Sequence, residues 1–430
     1  MKIILVAGAR PNFMKIAPLI RAIEKHNSSC QSSVVNFQCS LVHTGQHYDY
    51  EMSKVFFEDL EIPEPDIYLE VGSGTHAEQS AKVMIEFEKV LMAEKPDIVI
   101  VVGDVNSTLA CALPAAKINY QDYNLSHVTN ISKEVKTENC NRRPLVVHVE
   151  AGLRSYDRSM PEEINRLLTD TISDCFFTPS PDADENLKKE GIPENKIFLV
   201  GNIMVDNLLY NLDKAKKSNI LETLGLNKNL HSTIPDPCSA EHTSSGHNQK
   251  SVKPYALLTL HRPSGVDQKD AFLRIISALT EIGKNIPIVF PVHPRTRKQI
   301  EAFGLGSHFI DLTNNQRQIT NNGIYLVNSF GFLDFLNLMM HSTFVMTDSG
   351  GIQEETTVLG IPCLTLRDTT ERPITITQGT NVLVGTDTQE IVDEALKILS
   401  GKGKKGSCPE MCDGKTSERI VNILSENFKI

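Results

Sequence analysis

Apolar positions along this chain come in short blocks rather than in strict alternation. In the first half the blocks are "KIILVAG", "CSLVHTG", "PDIVIVVGD", "PLVVHVEAG", "DCFFTPS" and "KIFLVGN". A strand with one wet face would alternate polar and apolar residues; these do not, so both faces are expected to be buried. The intervals are long enough for helical crossovers, and strand, helix, strand in succession predicts a doubly wound parallel sheet. The second half repeats the pattern with "YALLTLH", "IPIVFPVHP", "GIYLVN", "FVMTDSG", "IPCLTLR" and "NVLVG". Two such series predict an α/β chain of two Rossmann-like domains facing each other across a cleft.

Two polar stretches interrupt the pattern. One runs from about Asp213 to Pro254, and its Ser, Pro, His and Gly content predicts a solvated loop. Its histidines, His231, His242 and His247, have no regular face to sit on and are not read as metal ligands. The other, Asn119 to Arg143, holds N-x-S/T sequons at Asn124 and Asn130, which chance explains in the absence of a secretion signal. The N-terminal run before Gly8 is too short for a signal peptide's apolar region. No stretch approaches the ~20 apolar residues of a membrane span.

Composition narrows the classes further. The 430 residues, 40% of them hydrophobic, suffice for two cores. A net charge of -10 argues against a general nucleic-acid or acidic-membrane binder, which needs a basic field. Phosphate chemistry would rely on a few local cations. Nine cysteines, an odd number, predict reduced thiols in a cytoplasmic protein. Cys408 and Cys412 form one C-x3-C pair without a second, and are read as part of a surface loop rather than a zinc site.

Ligands of open parallel sheets bind beyond the carboxyl ends of the strands, so the residues there are the candidates for chemistry. The first half offers Gly8, Arg10 and Lys15, then Gly103-Asp104, then Glu150. The second offers His261-Arg262, His293, the turn in "TDSGGIQEE", and Arg372. Carboxylates on one half with anion-binding turns, arginines and histidines on the other suit a nucleotide diphosphate sugar. Each has a plainer reading. Gly8 to Arg10 serves equally as an anion contact or a strand-to-helix corner. Asp104 could cap a helix starting near Ser107. Glu150, ending a buried apolar strand, needs a partner or a solvent cleft. In "MPEEINR", Pro161 suits a first helical turn, and Glu162 and Arg166 share a helix face, usually as a surface ion pair. His261 could be a satisfied core group, and His293, before proline, is read as structural. The serine and glycines of "TDSGGIQEE" fit an activated nucleophile, an anion-holding turn or a tight corner.

Taken together, "GARPNFMK", "TGQHYDYEM", "GDVNSTLA", "HVEAGLRS", "MPEEINR", "VGNIMVDNL", "TLHRP", "TDSGGIQEE" and "RDTTERP" resemble the non-hydrolysing UDP-N-acetylglucosamine 2-epimerases over nearly the whole chain. The resemblance implies a GT-B architecture, with an N-terminal domain over 1–201, a nucleotide-binding domain over 202–414, and a last helix, 415–430, returning to the first. It implies interconversion of UDP-GlcNAc and UDP-ManNAc by elimination and re-addition of UDP, without nicotinamide, cofactor or metal. The lack of a full G-x-G-x-x-G after the first strand agrees with that. By the same resemblance Asp104, Glu150 and Glu162 are the proton-transfer carboxylates, with Arg166 and His261 as further catalytic residues. Arg10, Lys15, Phe335, Ser349, Gly350, Gly351, Glu355 and Arg372 are the substrate contacts. Ser349 to Gly351 become an anion cradle, Glu355 a ribose clamp and Glu354 a plain helical residue. The nucleophile reading recedes, since no histidine-acid pair is implied near Ser349.

A cytoplasmic homodimer is expected from the same source, with a UDP-sugar as partner and no nucleic acid or membrane. "HRPSG" replaces the "HRRE" of many bacterial members, and "QHYDY", Gln46 to Tyr50, replaces the "QHRQ" of those activated by a second UDP-GlcNAc, so catalysis is expected to carry over more safely than the phosphate contacts of that loop or the activation. A hydrolysing epimerase, an epimerase of a related UDP-2,3-diacetamido sugar, a GT-B glycosyltransferase and a non-enzymatic sensor are the alternatives.

Overall fold

The structure is a computed structural model that describes residues 1–29, 35–46, 57–120, 143–227, 252–313 and 318–427, with the Arg10 side chain also outside the description. The two sequons, the three loop histidines and residues 47–50 of the "QHYDY" segment lie outside the described residues.

The chain divides into two compact units, 1–211 with 370–374 and 409–430, and 212–369 with 375–408. The step thus falls inside the helix Ile203–Ala215, and the return begins at 409, where sequence reading expected 201/202 and 415.

The first unit holds a seven-stranded parallel sheet in the order β3-β2-β1-β4-β5-β6-β7. Its strands are β1 Lys2–Ala7, β2 Gln38–His43, β3 Ile67–Tyr68, β4 Ile98–Val102, β5 Leu145–Val149, β6 Cys175–Thr178 and β7 Ile197–Leu199. Every residue of β4 is buried, as expected for a run with no polar alternation. Burying each such Val or Ile contributes about 1.5–3 kcal/mol against leaving it exposed. The strand order reverses direction between β1 and β4, so ligands of this sheet belong beyond Ala7 and Val102.

The second unit repeats the plan in the order β10-β11-β9-β8-β12-β13-β14. Here the strands are β8 Ala256–Thr259, β9 Ile288–Pro291, β10 Ile310–Asp311, β11 Ile324–Val327, β12 Phe344–Thr347, β13 Cys363–Thr365 and β14 Asn381–Leu383. Its switch lies between β8 and β12, which lead directly to His261 and to Asp348.

The polar stretch expected to be all loop from Asp213 begins as helix instead. The helix Ile203–Ala215 runs into it, and Ile220–Thr223 forms another turn that buries Ile220 and Leu221. The last helix, Thr416–Asn427, packs against Arg10–Ser29. Asp206 secures its start, accepting the amides of Thr416 at 3.1 Å and Ser417 at 2.7 Å. Among the described residues, no helix is long and apolar enough to cross a membrane.

Candidate active site

In the first unit the turn after β1 is filled from within. Asn12 accepts the amides of Gly8 and Ala9, both at 3.0 Å, and donates to the Val102 carbonyl at 2.9 Å. The anion-contact reading of Gly8-Ala9 therefore gives way to the corner reading, because those donors are already used. Gly8 is glycine for space: a Cβ there would run into the Ser107 hydroxyl. Arg10 opens the helix Arg10–Ser29, and Lys15, one turn on, is buried.

Lys15 Nζ forms an ion pair with Glu150 Oε2, and Arg372 Nη2 bonds Glu150 Oε1. Glu150 follows β5 with a left-handed φ of 73°, which turns its side chain out of the strand course toward both cations. Burial alone would raise its carboxyl, yet Arg372 and Lys15 outweigh it and bring the pKa down to about 2. Gly103 lies alongside, at φ 65°, where a Cβ would strike Lys15 Nζ. Arg372, expected at the diphosphate, comes from the second half of the sequence but belongs to the first unit. Its partner is a carboxylate.

Asp104 does not cap a helix. The next helix, Asn106–Lys117, has Val105 at its cap position, and Asp104 instead bonds Arg166 Nη1. Arg166 is buried on the helix Pro161–Ile172. Its expected partner Glu162, four residues earlier, is half-buried and makes no hydrogen bond or ion pair among the described residues. Arg166 pairs instead with Glu163, through Nη2 at 2.7 Å and Nε at 3.0 Å. Glu163 also accepts the amides of Ser155 at 3.0 Å and Tyr156 at 2.9 Å, so it pins the loop that follows Glu150. Burial would raise Glu163, but those amides and Arg166 hold it below its usual value.

In the second unit the helix Gly350–Leu359 starts directly after β12. Ser349 stands at its cap position without using its hydroxyl there. The hydroxyl and the first amides of this ten-residue helix thus have no partner within the helix, at the end where the dipole favours negative charge. Asp348, buried, accepts the amides of His261 and Arg262, both at 2.7 Å, and its other oxygen lies 2.9 Å from His261 Nδ1. A histidine-acid pair does stand next to Ser349, contrary to expectation. Among the described residues, however, His261 makes no hydrogen bond with Ser349, and a nucleophile would need one. With Nδ1 turned to Asp348, the half-exposed ring presents Nε2 outward. His293 caps the helix Pro294–Ala302, accepting the Arg295 amide at 3.2 Å.

Glu355 is buried, and burial together with Glu354 pushes its pKa up to about 8. Glu354, read as a plain helical residue, is itself buried beside it. Phe335 is half-buried on the helix Phe332–His341. Cys408 and Cys412 lie outside regular elements, and no group of three or more potential metal ligands occurs among the described residues.

Sequence reading missed Glu163, Asp348 and Asn12. Each stands inside a quoted motif, so the signal was present, but choosing between neighbouring acids required the fold.

A family model described as UDP-N-acetylglucosamine 2-epimerase matches residues 30–143 and 139–425. The UDP-N-acetylglucosamine 2-epimerase of Methanocaldococcus jannaschii is 41% identical over 427 residues, covering 99% of both chains. The UDP-2,3-diacetamido-2,3-dideoxy-D-glucuronate 2-epimerase of Pseudomonas aeruginosa is 36% identical over 429 residues, covering 99% of this chain and all of that one. Among solved structures, the M. jannaschii UDP-GlcNAc 2-epimerase in complex with UDP-GlcNAc and UDP superposes with a TM-score of 0.76 at 39% identity, covering 99% of each chain. The UDP-GlcNAc 2-epimerase from Neisseria meningitidis bound to UDP-GlcNAc gives 0.74 at 29% identity, again over 99% of each. With these matches spanning both sheets and the strand-end carboxylates, the chain belongs to the UDP-N-acetylglucosamine 2-epimerase family.

Proposed function

We propose that this chain is an isomerase that interconverts UDP-N-acetylglucosamine and UDP-N-acetylmannosamine without hydrolysing either. The observation that carries the reading, beside family membership, is a pair of carboxylates at adjacent strand ends, each paired with its own buried cations: Glu150 with Lys15 and Arg372, Asp104 with Arg166.

The C2 hydrogen of the sugar is not next to a carbonyl, so its direct removal is very unfavourable. Loss of UDP solves this. The C1–O bond breaks with its electrons going to the diphosphate, charge builds at C1, and a carboxylate takes the C2 proton to leave 2-acetamidoglucal. UDP then re-adds at C1 as a proton returns to the opposite face of C2. Asp104, Glu150 and Glu162 supply the two transfers. Positioned acid-base groups contribute about 10^2 to 10^4-fold, so stabilising the departing diphosphate must carry much of the rest. A helix N-terminus gives about 0.3–1 kcal/mol when exposed and about 2 when partly buried. The Ser349–Gly351 turn therefore acts with His261, while Glu355 and Phe335 hold the nucleoside.

Incubation with UDP-GlcNAc in heavy water, followed by NMR, tests this. Deuterium at C2 of intact UDP-ManNAc is expected. Free ManNAc with UDP would mean hydrolysis, transfer to an added acceptor would mean a glycosyltransferase, and tight binding without exchange would overturn catalysis altogether. The P. aeruginosa relative favours one second reading, the same C2 chemistry on a 2,3-diacetamido uronic acid nucleotide. The same experiment with that sugar decides it by relative kcat/KM.

A homodimer in the cytoplasm belongs to this proposal. The helix Pro161–Ile172 is inverted: it buries Glu163, Asn165, Arg166 and Asp170 and exposes Ile164 and Leu168. It packs in series with Asn106–Lys117 and His76–Glu94, and the latter exposes Ile85. A second copy covering that face would bury the three apolar side chains. Sedimentation of wild type and Leu168→Glu tests it, a monomer in wild type being the adverse result.

A further inference from the structure

One further buried polar pair in the first unit has no part in the chemistry above. His148 lies on β5, two residues before Glu150, and is completely buried. Its Nδ1 is 2.6 Å from Asp170 Oδ1, and its Nε2 is 2.9 Å from the carbonyl oxygen of Gly103. Each ring nitrogen therefore faces an oxygen, a carboxyl on one side and a carbonyl on the other. Asp170 Oδ2 in turn accepts the Gly152 amide at 3.1 Å and lies 2.7 Å from Arg154 Nη2. Burial would raise Asp170, but His148 and Arg154 hold it below its usual value.

The pair therefore grips two turns at once, one at Gly103, immediately before Asp104, the other at Gly152, two residues after Glu150. We propose that His148 and Asp170 are positioning residues that fix the distance between the two proton-transfer carboxylates, an inference that rests on the roles proposed for Asp104 and Glu150. Neither touches substrate, since both are enclosed.

Packing alone does not account for them. On the same strand Val147 and Val149 fill their places with apolar side chains, and an apolar group at 148 would avoid the cost of burying a polar ring. What an apolar group cannot do is hold a carbonyl and, through a carboxylate, an amide. Gly103 at φ 65°, Glu150 at 73° and Gly152 at 79° are all left-handed, in turns beyond the end of the β4-β5 ladder. The Gly103 amide to the Val149 carbonyl, at 3.0 Å, is the last backbone tie there between the two strands' extensions. The His148 bridge continues the tie outward to the reacting carboxylates.

The two ring nitrogens can be tested separately. Glutamine places an amide nitrogen near the histidine Nε2 position and keeps a donor for Gly103. Asparagine places one near Nδ1 and keeps only the donor for Asp170. Arg154 still balances Asp170 in both variants. His148→Asn is expected to lower kcat for C2 exchange by about 10 to 100-fold, because displacement of ~1 Å at a catalytic group costs this much. KM and UDP affinity should stay within about twofold, and His148→Gln should recover most of kcat. Amide hydrogen exchange at Asp104, beside the Gly103 tie, should accelerate in His148→Asn and not in His148→Gln. Wild-type kcat in His148→Asn, or equal losses in the two variants, overturns the proposal. If His148→Asn does not fold, Asp170→Asn decides by the same readouts, wild-type kcat again being the adverse result. Asp104→Asn and Glu150→Gln run alongside; full exchange in both would remove the underlying roles instead, whatever the His148 variants do.

Discussion

Glu150 is ionised because Lys15 and Arg372 flank it, in a place where burial by itself would favour the neutral acid. Its folded pKa, about 2 against 4.5 for a free side chain, lies below the unfolded value. The stability it contributes is therefore present above pH 4.5 and lost as pH falls toward 2. Urea unfolding should show wild type losing more stability than Glu150→Gln over this interval. Arg372→Gln removes one cation, so the Glu150 pKa rises, and the acid limb of the exchange rate should move to higher pH. The neighbouring glutamates of "MPEEINR" separate in the same way. Glu163→Gln breaks a buried pair with Arg166 and should cost about 3–5 kcal/mol of stability. Glu162→Gln should stay within ~0.5 kcal/mol on the same measurement yet lose exchange. Spacing alone favoured the i, i+4 partner. The loop amides of Ser155 and Tyr156, which draw Glu163 inward, are a tertiary fact that helical periodicity does not contain.

At the scale of elements, twelve apolar runs were legible in the sequence, and all twelve are strands. The two that were not, Ile67–Tyr68 and Ile310–Asp311, are two-residue edge strands, too short to leave a period. Strand ends were legible too, because parallel sheets present their chemistry there. The side-chain partners at those ends were not, as with Asn12 occupying the first turn, or Asp348 turning to His261 rather than to the serine beside it. The helix Gly350–Leu359 carries its own prediction. Glu355, at about 8, is largely protonated at neutral pH, and under the proposed role ribose hydroxyls donating to it would favour the carboxylate. UDP binding should therefore release a proton near pH 7, seen by calorimetry in buffers of different ionisation enthalpy, and Glu355→Gln should abolish the release. Its raised pKa also has the opposite linkage to Glu150: stability falls as pH rises from 4.5 toward 8.

At the scale of the whole molecule, one strand order serves twice, and the two sheets carry different residues at their strand ends, carboxylates beyond β4 and β5 and the Ser349–Gly351 turn beyond β12. The chain is acidic, and Lys15, Arg166 and Arg372 in the first unit are paired with carboxylates. A fragment ending at residue 215 would keep the whole first sheet but lose Arg372 from Glu150 and the terminal helix from Asp206. Such a fragment should be measurably less stable in urea, and adding a peptide of residues 409–430 should restore part of the loss. The bond between Asp206 and Ser417 thus has a bearing on time as well as on structure. On the ribosome the first unit, although its sheet is made before the second, is not complete until residues 409–430 have left the exit tunnel.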